Sequence, residues 1–153
     1  MFRRTVLSLA AVAAVAGLAL AVPLGKIELK DFTFKTGGDG AGFNEGDGKL
    51  FFYAQDVASV PVKVDADGEY TITVEASCDA ALNENAKFTL KVGDVEVKKD
   101  FELKQPEAKE YTFTAKLTKG EPKLSLEFTN DKYKEGEYDR NLYVHAVKVG
   151  LKK

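Results

Sequence analysis

Between Val60 and Phe128 apolar and polar residues take turns, and that period of two restricts this part of the chain to strands. Val60, Val62 and Val64 alternate with Pro61 and Lys63; Tyr70, Ile72, Val74 and Ala76 with Thr71, Thr73 and Glu75; Phe88, Leu90 and Val92 with Thr89 and Lys91. Tyr111, Phe113, Ala115 and Leu117 alternate with Thr112, Thr114 and Lys116, and Leu124, Leu126 and Phe128 with Ser125 and Glu127. A strand turns successive side chains to opposite faces, so each run buries one face and wets the other, as antiparallel sheets do. Asp67-Gly68, Gly93-Asp94 and Lys119-Gly120-Glu121-Pro122 separate the runs with turn residues, and nothing after Lys26 holds a helical period. The expectation is an all-β, antiparallel two-sheet β-sandwich, jelly-roll-like, whose apolar stripes are core at about 1.5–3 kcal/mol per buried side chain. Pro61 removes a ladder donor and predicts an edge.

The first residues follow another rule. Met1 to Ala21 carries Arg3 and Arg4, then an apolar run, then Ala19-Leu20-Ala21 before Val22-Pro23, the pattern of a secretory signal peptide. The rival is a single membrane anchor, since the apolar run from Thr5 to Val22 is near the minimum spanning length; no later segment is apolar enough to span a bilayer. Cleavage after residue 21 leaves one domain over residues 22–153, secreted or held in the periplasm or cell envelope, and not inserted in a membrane. The chain has 22 Lys and Arg against 24 Asp and Glu, and losing Arg3 and Arg4 makes it slightly more acidic. These charges are interspersed, so no basic footprint for nucleic acid or anionic lipid exists. Cys78 is the only cysteine, which excludes an intramolecular disulfide and reads as a buried structural thiol.

Residues 126–144, L-E-F-T-N-D-K-Y-K-E-G-E-Y-D-R-N-L-Y-V, concentrate the chemistry. The strand ending at Phe128 and the run starting at Leu142 predict a connecting loop between Asn130 and Asn141, turning at Gly136. Calcium takes six to eight oxygen ligands, and Asn130, Asp131, Asp139 and Asn141 can supply them from both rims of that loop. It is not an EF-hand: in a register starting at Asp131 the twelfth position is Leu142, not a bidentate Glu. The alternative is a solvated acidic loop balanced by Lys132, Lys134 and Arg140. The glycine-rich residues 36–48 lack the G-K-[ST] ending of a phosphate loop and read as a surface loop; Asp39, Glu45 or Asp47 could border a ligand site, as could Asp79, Asn83, Glu84 and Asn85 after Cys78.

Catalysis finds little support. A Ser or Cys nucleophile needs a base, and the only histidine, His145, alternates with Tyr143 and Val147 as a structural residue would. Zinc needs more nitrogen and sulfur than one His and one Cys offer. A glycosidase needs only two opposed carboxylates, but nothing selects a pair among 24 acids.

The string F-T-N-D (Phe128 to Asp131), followed after seven residues by D-R-N-L-Y-V (Asp139 to Val144), resembles the C-terminal signature of calcium-dependent, xylan-binding carbohydrate-binding modules. An early glycine-rich loop, then G-E-Y-T-I-T-V-E-A (Gly68 to Ala76) and K-F-T-L-K-V-G-D (Lys87 to Asp94), extend the resemblance over about residues 27–150. The resemblance implies a β-sandwich with a loop-bound calcium that coordinates sugar hydroxyls directly, with Asp131 and Asp139 among its ligands. Two positions depart from it: there is no Trp to serve as a stacking platform, and His145 stands where an acid is expected. The expected function is a secreted, non-catalytic domain binding a polysaccharide, xylan or a related glycan, through Ca2+, with Tyr133, Tyr138, Arg140 and Glu84 on the ligand side. The alternative is a structural or protein-interaction sandwich of the cell envelope in which calcium only pins the loop.

Overall fold

Each alternating run of the sequence forms a strand in the structure, a computed structural model that describes residues 22–153; the leader expected over residues 1–21 lies outside the described residues. One sheet runs β1 (Val22–Pro23), β6 (Val57–Lys63), β11 (Lys123–Phe128), β8 (Lys87–Val92), β9 (Val95–Glu102), with β3 (Thr33–Phe34) also on β6. The other runs β10 (Lys109–Leu117), β7 (Gly68–Asp79), β13 (Tyr138–Leu151), β5 (Lys49–Phe52), β4 (Ala41–Asn44), with β2 (Gly25–Ile27) and β12 (Lys132–Lys134) also on β13. The long ladders are antiparallel, and β1 pairs β6 in parallel. Pro61 falls where β6 has no partner on one side, between β3, which reaches Ser59, and β1, which starts opposite Val62.

The inward faces meet in one core. Leu90, Leu124, Leu126, Phe88 and Phe128 from one sheet pack against Leu50, Phe52, Ile72, Val74, Leu142 and Val144 from the other. Phe52 takes Phe34 and Phe128 edge-on at 5.9 and 6.3 Å between ring centroids, the arrangement aromatic quadrupoles favour. Cys78 is buried in this core, as expected of a structural thiol, and burial pushes its pKa up.

The structure corrects three local readings. Residues 36–48 are not loop throughout: Ala41–Asn44 is β4, with Ala41 fully buried, and its glycine hid the alternation because it has no side chain to show it. Residues 130–141 form a short hairpin, not an open loop: Lys132, Tyr133 and Lys134 pair with Arg140, Asp139 and Tyr138, and Gly136 (φ 73°) makes the turn. His145 does not share a face with Val147. The β7–β13 register jumps from Val144–Ala76 to Ala146–Glu75, a bulge that leaves His145 without a partner residue. Leu142 and Val144 point inward before it, Val147 and Val149 after it, while His145 stays outside, its Nε2 2.7 Å from Ser77 Oγ.

At one end of the sandwich Arg140, expected on the ligand side, points into the protein and is 1% exposed. Its Nε donates to Glu84 O (3.2 Å), Nη1 to Asn130 O (2.5 Å) and Nη2 to Ala81 O (2.6 Å), with Glu84 Oε2 3.4 Å from Nη2. It thus joins the start of the hairpin to the turn after β7. That turn, Ala81–Glu84, has left-handed φ at Leu82 (55°) and Asn83 (58°), a conformation costing a non-glycine residue about 1–2 kcal/mol. Two reciprocal backbone bonds of 3.1 Å and the Arg140 grip on both terminal carbonyls hold it.

Arg140→Ala leaves the carbonyls of Ala81, Glu84 and Asn130 without this donor, so chemical denaturation should show a loss of about 3–5 kcal/mol. Burial holds His145 below its ordinary pKa, against the opposing pull of Glu75 and with a smaller push from Lys49. As pH falls through about 6.5 the unfolded chain is protonated first, so the stability present above that pH declines on acidification. Melting midpoints between pH 7 and 5 should therefore fall less steeply for His145→Gln than for the unaltered protein.

Candidate functional site

Because Arg140 points inward, its neighbours Asp139 and Asn141 point outward, and strand pairing gathers their partners. Asn141 lies opposite Asp79 of β7, and Tyr143 opposite Ser77. Directly opposed residues share a face, so Asp79, Asn141 and Tyr143 meet outside the sheet. Asn141 Nδ2 donates to Asp79 Oδ2 (3.1 Å) and Asp139 Oδ2 (3.0 Å), and Tyr143 Oη donates to Asp79 Oδ2 (2.7 Å). Tyr143 is thereby held protonated, its pKa raised by burial first and then by this bond to Asp79. Asp131 approaches from the other side of the hairpin. Its pKa is raised, first by burial and next by the charge of Asp139.

Two oxygens here have no partner: Asp131 Oδ1 and Asn141 Oδ1 are both buried and accept no hydrogen bond. The two donor bonds of Asn141 fix its amide orientation, which makes the orphan the carbonyl oxygen. A buried polar atom left unpaired costs about 1–3 kcal/mol, and here one belongs to a carboxyl already beside a like charge. Among the described residues no three His, Cys, Asp or Glu side chains form a metal cluster, so this donor set depends on an amide oxygen as well as carboxylates. Carboxylate and amide oxygens without nitrogen or sulfur suit a hard cation such as calcium. Asp131, Asp139 and Asn141 fit such an ion.

The remaining expected residues are distributed differently. Asn130 serves the loops instead. Its Oδ1 accepts from Lys87 N (2.6 Å) and its Nδ2 donates to Asn85 O (2.9 Å), so its side chain ties the hairpin to the segment before β8. The Glu84 carboxylate, expected at the ligand, is occupied by Lys87, Asn130 and Arg140, and the Lys87 hydrogen bond is the main cause of its lowered pKa. Tyr133 stands opposite Asp139 in the hairpin and is 64% exposed, which puts its ring on the carboxylate face. Tyr138 alternates to the face of Arg140, away from Asp139. None of the acids in residues 36–48 hydrogen-bonds to the cluster; Asp47 bonds Asn44 and Lys49 instead. Asp79, one of the acids the sequence offered as a border of the ligand site, and Tyr143 complete the cluster, and strand pairing across 64 residues brings them together.

Solved carbohydrate-binding modules share the fold. A CBM36 module in complex with calcium and xylotriose is 21% identical, with a TM-score of 0.58 over 83% of this chain and 100% of that one. The mannan-binding module from Man5C is 17% identical, with a TM-score of 0.58 over 82% and 97% of the two chains. A CBM35 module from Paenibacillus barcinonensis is 13% identical, with a TM-score of 0.58 over 83% and 98%. No curated protein matches the sequence. The model of one family, CBM60, described as Ca-dependent carbohydrate-binding module, xylan-binding, matches residues 71–153, a stretch that contains every member of the cluster around Asp131, Asp139 and Asn141; the chain belongs to that family.

Proposed function

We propose that the protein is a non-catalytic module that binds polysaccharide, xylan-like chains first, through a calcium ion held by Asp131, Asp139 and Asn141. The observation that carries this reading is the pair of buried, unpartnered oxygens, Asp131 Oδ1 and Asn141 Oδ1, beside a second carboxylate. Bound there, calcium would supply open coordination positions to the hydroxyls of a sugar. Asp79 fixes the Asn141 amide so that its oxygen is presented, and Asp139 contributes charge on the same face. Tyr133, opposite Asp139, offers a ring face to the sugar. A purely structural ion is disfavoured because Arg140 already joins Asn130 to the Ala81–Glu84 turn, so the loops have an internal clamp. The family description and the CBM36 complex with calcium and xylotriose support the choice of ion and glycan. Export by the leader over residues 1–21 would bring the module to its polysaccharide.

Calcium in excess should raise the melting midpoint relative to chelator, by the equivalent of about 2.7 kcal/mol at a hundredfold excess over Kd. Asp131→Asn and Asp139→Ala should each abolish that shift. In chelator Asp131→Asn should melt no lower than the unaltered protein: ionisation of a group whose folded pKa is raised weakens the fold at neutral pH, and the amide removes that charge. An equal midpoint with and without calcium, with no heat in titration calorimetry, would dismiss the ion.

On xylan affinity gels the protein should be retarded in calcium and run free in chelator. Tyr133→Ala should weaken binding by about 1–3 kcal/mol, by analogy with base–aromatic stacking, and Asp139→Ala should eliminate it while the far-ultraviolet spectrum is unchanged. Release of reducing sugar would replace this reading with a hydrolase.

A further inference from the structure

Among the described residues β10 pairs with β7 alone, so its other edge is open. The remaining outermost strands offer little to another chain. β1 has two residues, β4 has four with Gly42 among them, and β9 shows two register shifts and holds Asp100 at φ 44°. β10 has none of these features: it runs nine residues, Lys109 to Leu117, without glycine, proline or bulge, in unbroken register with β7. A long regular edge is a template for a further strand. The phase of the ladder identifies the groups on that edge. Lys152 N donates to Glu69 O (2.8 Å), so Glu69, and by alternation Thr71 and Thr73, turn their peptide groups to β13. Tyr70, Ile72 and Val74 then bond β10 through their partners Ala115, Phe113 and Tyr111. Glu110, Thr112, Thr114 and Lys116 are left with their N–H and C=O groups aimed at the open edge, and their side chains are exposed on the outer face.

We propose that β10 is a dimerisation edge, pairing antiparallel with β10 of a second copy about a two-fold axis through Phe113. That register opposes Glu110 to Lys116, Thr112 to Thr114 and Phe113 to its own symmetry mate. The first two kinds of pair join the residues whose backbone groups face outward, so each of those groups meets a partner on the other copy. Three observations select a second copy as the occupant. The charge pattern is self-complementary: K-E-Y-T-F-T-A-K-L laid against itself brings opposite charges together on both sides of the axis, and sliding the register by two residues in either direction loses both pairs. Within one copy Glu110 stands directly opposite Glu75, a like-charge placement eased by Lys148 Nζ at 3.2 Å, and Lys116 of the second copy brings a further cation to it. Phe113 is half-buried where Tyr111, Ala115 and Leu117 of the same face are buried, and a non-hydrogen-bonded pair on the axis brings its side chain closest to its mate. The inference is independent of the carbohydrate reading.

The test is sedimentation equilibrium of the protein from about 1 µM to about 1 mM, over which the mass should rise from one copy to two. Thr112→Pro removes an N–H that faces the open edge and no bond to β7, so it should keep the far-ultraviolet spectrum of the unaltered protein and weaken dimerisation at least about tenfold. Glu110→Lys and Lys116→Glu each set like charges against each other on both sides of the axis, and each should raise the dimer dissociation constant at least about tenfold. Mixed in equal amounts, those two charge variants should recover the dimer as a pair of unlike copies, because opposite charges then meet again across both sides. A single-copy mass for the unaltered protein at every concentration would overturn the inference. So would unchanged dissociation constants for both charge variants, or a mixture of the two that associates no better than either alone.

Discussion

The guanidinium of Arg140 sits among backbone carbonyls at the end of the sandwich, and the local geometry around the proposed metal site depends on it. A planar group with five donors can hold acceptors in several directions, and here it joins the chain at Asn130 to both ends of the turn after β7. Strand alternation does the rest. With residue 140 inward, residues 139, 141 and 143 must face outward, so one buried cation sets the direction of the oxygens beside it. Asn130 and Glu84 reinforce the clamp, so their side-chain polar groups are already engaged.

The electrostatics of that face is unbalanced by construction. Asp131 and Asp139 repel each other, burial penalises the charge on Asp131, and the Asn141 amide turns its N–H groups to Asp79 and Asp139. Such an arrangement is unfavourable alone and favourable around a cation, which fits a binding site better than a stability device. At the end of the other sheet, β9 carries Lys98 and Lys99 and a register irregularity near Asp100, where φ is 44°, features that discourage another strand from pairing there.

Much of this was legible in the residues. The period of two located the long strands because each buries one face, and the D-R-N motif drew attention to Asp139 and Asn141. The misassignment of Arg140 came from ending the strand at Leu142: carried back to Tyr138, the same alternation places Arg140 in line with Leu142 and Val144, both fully buried. Other features had no local trace. The pairing that joins Asp79 to Asn141 and Tyr143 links segments more than 60 residues apart, the bulge at His145 shifts the alternation without a glycine to mark it, and the contact of Tyr53 with Tyr143 becomes visible only once β5 lies beside β13.

The position of β13 has a consequence for how the protein folds. It follows every other described strand in the chain yet occupies the middle of its sheet, with β7 on one side and β5 and β2 on the other. Until it arrives, those strands present open edges and their apolar faces lack a neighbour, so closure of the sandwich waits on contacts distant in sequence, the kind that slow folding most. Asp139, Asn141 and Tyr143 arrive on that same strand. The molecule therefore cannot assemble the surface proposed to face the glycan before it has completed the fold, and a half-folded chain has no competent version of the site.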